Sequence, residues 1–403
     1  MKVTQVYETL NTVIKETLGQ TDLVKEDLSN IVDVGKALEG QEKLDNYVRK
    51  LVDHIGKVIF DNRSYDVKEP DILMDGWEYG SILEKIRAEV PDSVANEDWT
   101  LVDGKTYEQD KFTAPKVAAK FFNSRVAFEV DMSYAEEQVK SSFSNPTQLN
   151  AFFSMIENKI MTRKRIDYQN LKMRTINNFT AATIYDAYAS SASTETKITD
   201  TDIAKGSKGR CVNLYYLFKQ KFPNSTATVA NCLQDLEFIK FAAYTMRLYL
   251  KRMRNASKLF NIGGTVKFTD EKNMKVILLD EFSEAANIYL QSDTFHNELV
   301  KLPSAQTVSY WQGTGTGYDF SATTKISTAI LNPRDVNLTG TKEVTASGIL
   351  GVMFDKDALG VCNLKDTVKT HPNQKADFYT NFYKSFAGYF NDYDENFLVF
   401  LVA

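Results

Sequence analysis

Gly313, Gly315 and Gly317 lie in the segment WQGTGTGYDF, spaced like half of a phosphate-cradling loop. In such a loop backbone N–H groups and the start of a helix receive an anion. The surroundings argue against that chemistry. No buried strand leads into the run, no Gly-Lys-Ser/Thr follows it, and no helix pattern opens after it, so a turn-rich surface loop is the better account. Asp392 and Asp394 form an acid pair at i and i+2 within YFNDYDENF, a spacing that can serve a cation. Without a glycine-bearing calcium loop it reads first as a turn between strands. Asp355-Lys356-Asp357 reads as a hairpin turn. His54, His296 and His371 each lack an acidic or histidine partner at ligand spacing, and His371 precedes Pro372, which points to a turn. Cys211, Cys232 and Cys362 are odd in number, far apart and in no C-x-x-C pair. That excludes a disulfide framework and a thiolate zinc site, and predicts three buried, reduced thiols in a reducing cytoplasm. There is no HExxH and no GxSxG. The expectation is therefore no catalytic residue, no cofactor site, no metal site and no enzyme.

Two basic clusters remain, on 159–174 (Arg163, Lys164, Arg165, Lys172, Arg174) and on 247–254 (Arg247, Lys251, Arg252, Arg254). Neither shows interleaved aromatic platforms or a known nucleic-acid motif, which excludes site-specific reading of DNA. A solvated basic face and a loose electrostatic contact with polyanion both fit.

The first cluster rides on the longest pattern in the chain. Asn145 can cap a helix, Pro146 suits its first position and Gln148 stands where a capping box needs it. Leu149, Phe152, Phe153, Ile156, Ile160 and Leu171 then share one face. The spacing predicts a helix of about 35 residues, some 50 Å long, with the cations on its other side. Around it the chain alternates between ordinary core and segments with none. Residues 1–50 are charged, helix-prone and too poor in apolar residues to build a core. Residues 51–60 (LVDHIGKVIF) read as a strand. From 61 to 115 come Pro70, Pro91, Pro115, Gly76, Gly80, Gly104, Trp77, Trp99 and many acids, a long excursion of the kind that is usually functional. Residues 116–134 alternate as a long half-buried strand with a phase shift at Asn123-Ser124. Strand, excursion and returning strand describe an extended hairpin arm that needs other subunits to cover it.

Further on, 187–209 reads as a linker, 211–222 and 233–260 as helices, and 274–279 (MKVILL) as a buried strand. Residues 298–345 read as irregular, and strands return at 348–354, 360–368 and 378–403. No period repeats. The start, MKVTQVYETLNTVIKETL, lacks an apolar secretory core, and the longest apolar run, 397–403, is far too short to span a bilayer. With 403 residues, 43% hydrophobic, and a net charge of −5, the chain has ample core and no global basic character. The fold class is α+β.

The ordered set of LVDHIGKVIF at 51–60, DGWEYGSILEKI at 75–86, the helix from Pro146, GVMFDKDALGV at 351–361, THPN at 370–373 and the aromatic final strand resembles the major capsid proteins of tailed bacteriophages. These have the Hong Kong phage-type shell fold, and the resemblance is nearest to the small short-tailed phi29-like group. The resemblance implies an N-terminal arm at 1–50 and peripheral-domain strands with the extended loop at 51–134, the loop itself about 61–115. It implies a spine helix at 135–186, an axial domain at 187–360, and peripheral return strands at 361–403. It implies hexamers and pentamers of an icosahedral shell around double-stranded DNA, with portal, scaffolding or head-fibre proteins as partners, non-specific DNA contact and no membrane. The location implied is the virion, after assembly in the host cytoplasm. An encapsulin-like compartment shell is the alternative on the same fold, and a nucleotide-binding enzyme using Gly315 is the alternative on another.

Overall fold

The computed structural model describes residues 70–74, 82–93, 95, 100–107, 110, 112–135, 146–189, 196–291, 305–313, 324–334, 340–376 and 378–403, with backbone alone for 134–135, 146–153, 289–291 and 312. The expected arm at 1–50, the strand at 51–60, His54, Trp77, Trp99, His296, Gly315 and Gly317 lie outside the described residues. Contacts divide the chain into two units. One is Met1–Tyr65, Val130–Arg163 and Val368–Tyr383; the other is Asp66–Glu129, Lys164–Thr367 and Lys384–Ala403.

The strands are β1 (Leu73–Met74), β2 (Leu83–Ala88), β3 (Val117–Phe122), β4 (Ser124–Ala135), β5 (Lys197–Ile198), β6 (Cys211–Asn213), β7 (Met274–Leu279), β8 (Ala305–Val308), β9 (Gln312–Gly313), β10 (Lys325–Leu331), β11 (Thr341–Ser347), β12 (Ile349–Asp355), β13 (Leu359–Asn373), β14 (Phe378–Asn391) and β15 (Phe397–Leu401). The helices are α1 (Pro146–Tyr188), α2 (Asp200–Ile203), α3 (Leu214–Lys221), α4 (Leu236–Met253) and α5 (Asp280–Gln291). They give an α+β fold, as expected.

The core lies in the second unit, around the five-stranded sheet β6-β15-β12-β7-β8. Every residue of β12 and β15 is buried, which is why ILGVMFD and FLVFL read as continuous apolar runs rather than alternating ones. Antiparallel pairing runs from Ile349↔Leu401 to Phe354↔Phe397 on one side of β12 and from Gly351↔Leu278 to Asp355↔Met274 on the other. Gly348 turns the chain into β12 at φ 68°, where an added Cβ would overlap the Val402 carbonyl.

Helix α1 begins at Pro146 as expected and runs 43 residues. From Leu171 to Tyr185 it is buried on nearly every side, with Arg174 and Asn178 the half-buried exceptions. Two of its buried threonines bond to their own helix: the hydroxyls of Thr175 and Thr183 donate to the carbonyls of Leu171 (2.8 Å) and Phe179 (2.9 Å). Phe179 stacks on Phe397 at 4.1 Å and meets Tyr393 edge-on at 5.1 Å, joining α1 to the sheet.

Several expectations are corrected. The span 298–345 is not irregular throughout, because β10 pairs with β11 from Lys325↔Ser347 to Leu331↔Thr341 within the sheet β5-β11-β10-β9. The span 187–209 is more than a linker, since it contains β5 and α2, whose start is held by a capping box of Thr199 and Asp202. Cys211–Asn213 is a strand before the helix α3, with Asn213 capping it through Tyr216 N. The turn after Asp355 joins strands of two different sheets, so it is not a hairpin. His371 lies exposed in β13, and the turn follows at 374–376.

In the first unit the described residues include the outer parts of β13 and β14. There Thr370 donates to Asn381 at 2.8 Å, and the Ser133 and Thr380 hydroxyls lie 2.8 Å apart.

Candidate functional site

Strands β2 and β3 form an isolated antiparallel ribbon, paired from Leu83↔Phe122 to Ala88↔Val117. Its alternation is inverted in part: the inner face mixes cations with Leu83 and Phe122, and the outer face sets Glu84 among apolar residues. Leu83, Lys85, Arg87, Ala118, Lys120 and Phe122 face the body of the second unit, whereas Ile86, Val117 and Phe121 point outward, each at least 60% exposed. A soluble ribbon ordinarily turns charge outward and apolar residues inward. Here three cations sit on the inner side, and Lys85 lies directly opposite Lys120. Like charges in that register repel unless something neutralises them.

The neutralising groups come from the turn between β14 and β15, over 270 residues away in sequence. Lys85 Nζ lies 2.8 Å from an oxygen of Asp392 and 2.8 Å from one of Glu395, and it donates to the Asp357 carbonyl at 3.1 Å. Lys120 pairs with Asp392 at 3.1 Å and also with Asp394. Arg87 pairs with Asp394 at 2.5 Å. A fourth cation, Lys267, reaches Glu395 at 2.8 Å from the loop after α4. Asp392 is 1% exposed, so the acids are removed from water while the cations that meet them stay partly wet. Burial alone raises the Asp392 pKa, but the hydrogen bonds and charges of Lys85 and Lys120 outweigh it and hold the carboxyl below its ordinary value. Burial likewise works to lower the Lys85 pKa, and Asp392 and Glu395 together raise it. Gly263 completes the cradle: its N–H donates to the Tyr393 carbonyl at 2.9 Å, and an added Cβ would overlap the Asp394 carboxylate. Beyond this root the excursion leaves Val90, Leu101, Val102 and Phe112 between 61% and 88% exposed.

The acid pair Asp392/Asp394 therefore does lie in a turn between strands, and the cations it serves are side chains of its own chain. Sequence reasoning did not find those cations; the period-2 spacing of Lys85 and Arg87 was the available signal. Among the described residues, no group of three His, Cys, Asp or Glu side chains is placed to hold a metal ion. Gly313 lies in β9 at φ 136°. The three cysteines are buried and free, and burial pushes the Cys211 thiol up to about 12.

The basic cluster on α1 is an outward face only in part, at the exposed Arg163 and Arg165. Lys172 is buried, Arg174 lies over the Tyr389 ring at 4.8 Å, and Lys164 pairs with Asp366 at 3.4 Å, so these cations serve the subunit's own packing. The cluster on α4 keeps an exposed face, and one exposed aromatic ring, Tyr244, lies one turn before it. No described helix is long and apolar enough to cross a membrane.

Comparison with known proteins accords with this arrangement. A sequence model of the family described as Phi29-like phage major capsid protein matches residues 10–401. The fold is similar to that in the capsid structure of Staphylococcus phage Andhra, at a TM-score of 0.52 and 9% identity, covering 86% of this chain and 87% of that one. It is similar also to a chain in the structure of the head fiber and inner core protein gp22 of native bacteriophage P68. There the TM-score is 0.50 and the identity 10%, over 86% of this chain and 89% of that one. No curated protein sequence matches significantly.

Proposed function

From the premise that the chain belongs to the family of Phi29-like phage major capsid proteins, we propose that it closes into an icosahedral shell of hexamers and pentamers around double-stranded DNA, and that the β2–β3 arm joins its copies. The observation that carries the reading is the inverted ribbon: charge anchored inward on its own subunit, apolar residues turned outward. Burying Ile86, Val117 and Phe121 against another copy is worth about 1.5–3 kcal/mol each, and closed symmetry repeats that gain at every contact. The exposed apolar residues at 90–112 extend the same covering surface.

In this reading residues 1–50 form an arm, 61–115 the loop over a neighbour, and α1 the spine of a peripheral domain to which the return strands of 361–403 also belong. The residues of 187–360 make the axial domain, and β15 knits the two domains together by lying between β6 and β12. Portal, scaffolding and head-fibre proteins are the further partners, and assembly takes place in the host cytoplasm. The test replaces 89–116 with a short Gly-Ser turn while keeping the anchored root. Electron microscopy should find a folded protein that forms no shells; normal shells would refute the role given to the arm.

A further inference from the structure

Between residues 236 and 258 the chain carries six cations and one acid, Glu237, although its overall charge is −5. The structure sorts these side chains by face. Phe238, Ala242, Met246, Leu250 and Met253 bury one side of α4 in the core. The opposite side shows Lys240, Tyr244, Arg247 and Lys251 at i, i+4, i+7 and i+11, a single strip about 16 Å long at 1.5 Å per residue. Lys258 continues the charge just past the helix. Arg247, Lys251 and Lys258 make no ion pair among the described residues. Lys221 of α3 adds a further cation, its Nζ 5.9 Å from the centre of the Tyr244 ring, which is 62% exposed.

We propose that this strip docks the phosphate backbone of duplex DNA without reading its sequence, an inference that rests on the shell reading above. The chemistry selects the partner. Arg247, Lys251 and Lys258, without ion pairs among the described residues, fit a dense and uniform row of charge; a duplex presents one charge per about 1.7 Å. A protein partner would need buried aromatic or arginine anchors in a pocket. A single strand would need several stacking platforms, whereas Tyr244 alone is offered on this face. On α1, by contrast, Lys164, Lys172 and Arg174 are engaged within the subunit, and the exposed Lys159, Arg163 and Arg165 each have a partner, so the cations without ion pairs lie on and beside α4.

The test uses the full chain with R247Q, K251Q and K258Q combined, and measures binding of a labelled duplex of roughly 30 bp across roughly 50–200 mM salt. Three lost phosphate contacts reduce the slope of log K against log salt by about 3 and weaken binding at least tenfold at moderate salt. Shells of the variant should form normally. An unchanged slope and affinity, with shells intact, overturns the proposal and leaves the shell reading standing. Failure of the variant to form shells, while wild type forms them, assigns the strip to contact between copies and also overturns it. If the wild-type chain forms no shells, it is the shell reading that fails.

Discussion

Replacing Asp392 with Asn should loosen the root of the arm without unfolding the subunit. Asp392 is 1% exposed and faces Lys85 at 2.8 Å and Lys120 at 3.1 Å. Removing one partner from a buried ion pair costs about 3–5 kcal/mol. Lys85 keeps Glu395, and about a quarter of its side chain meets water, so the cost falls below that range, to about 2–3 kcal/mol. At about 1.4 kcal/mol per tenfold, that corresponds to a roughly 30- to 140-fold rise in local opening. Hydrogen exchange on the full chain reads this directly: amides of β2 and β3 should exchange faster by that factor, while those of β10 and β11 stay unchanged. Lys85→Met should produce a similar rise, and the double variant should fall well short of the sum, because both changes remove one coupled set. Additive effects, or an equal rise in β10 and β11, would show that the cluster does not hold the ribbon.

The same root should respond to pH with a definite sign. The Asp392 pKa lies below its ordinary 3.8, so its contribution is complete above that value and is lost as pH falls through the lowered one; the Lys85 pKa lies above 10.5, so its contribution is lost only as pH rises beyond that. Exchange in β2 and β3, corrected for intrinsic rate, should be flat from roughly pH 5 to 9 and rise only outside it; a transition near neutrality would contradict the assignment. Phe179→Ala removes a ring stacked on Phe397 and should lower stability by about 3–5 kcal/mol in urea unfolding of unassembled chain; a loss under about 1 kcal/mol would mean that the junction of α1 with the sheet is not set there. Gly348→Ala and Gly104→Ala both place alanine at positive φ, but only the first drives a Cβ into backbone, so its melting temperature should fall several times further; equal shifts would refute the steric account.

What the sequence disclosed follows from how local the causes are. The start of α1 is written in Asn145, Pro146 and an uninterrupted helical run, and β7 in MKVILL. The strands β10 and β11 were legible in principle, since KISTAIL alternates buried and less buried positions, yet threonines and lysines among the apolar residues hid the period. The anchor was not legible. Lys85 meets Asp392 and Glu395 only through tertiary folding, and neither partner's neighbours in sequence announce the other. For α1 the cations suggested an outward face because side-chain charge implies water; that holds at Arg163 and Arg165, whereas at Arg174 and Lys164 the ring of Tyr389 and the carboxylate of Asp366 take water's place.

The slot between Cys211–Asn213 and Ile349–Asp355 is filled by Phe397–Leu401, which leaves the ribosome after both of its neighbours. A nascent chain that stops short of Phe397 is left with two bare strand edges and half of its aromatic stack missing. A chain cut short there cannot close this sheet, so the last residues synthesised decide whether the central core is completed at all.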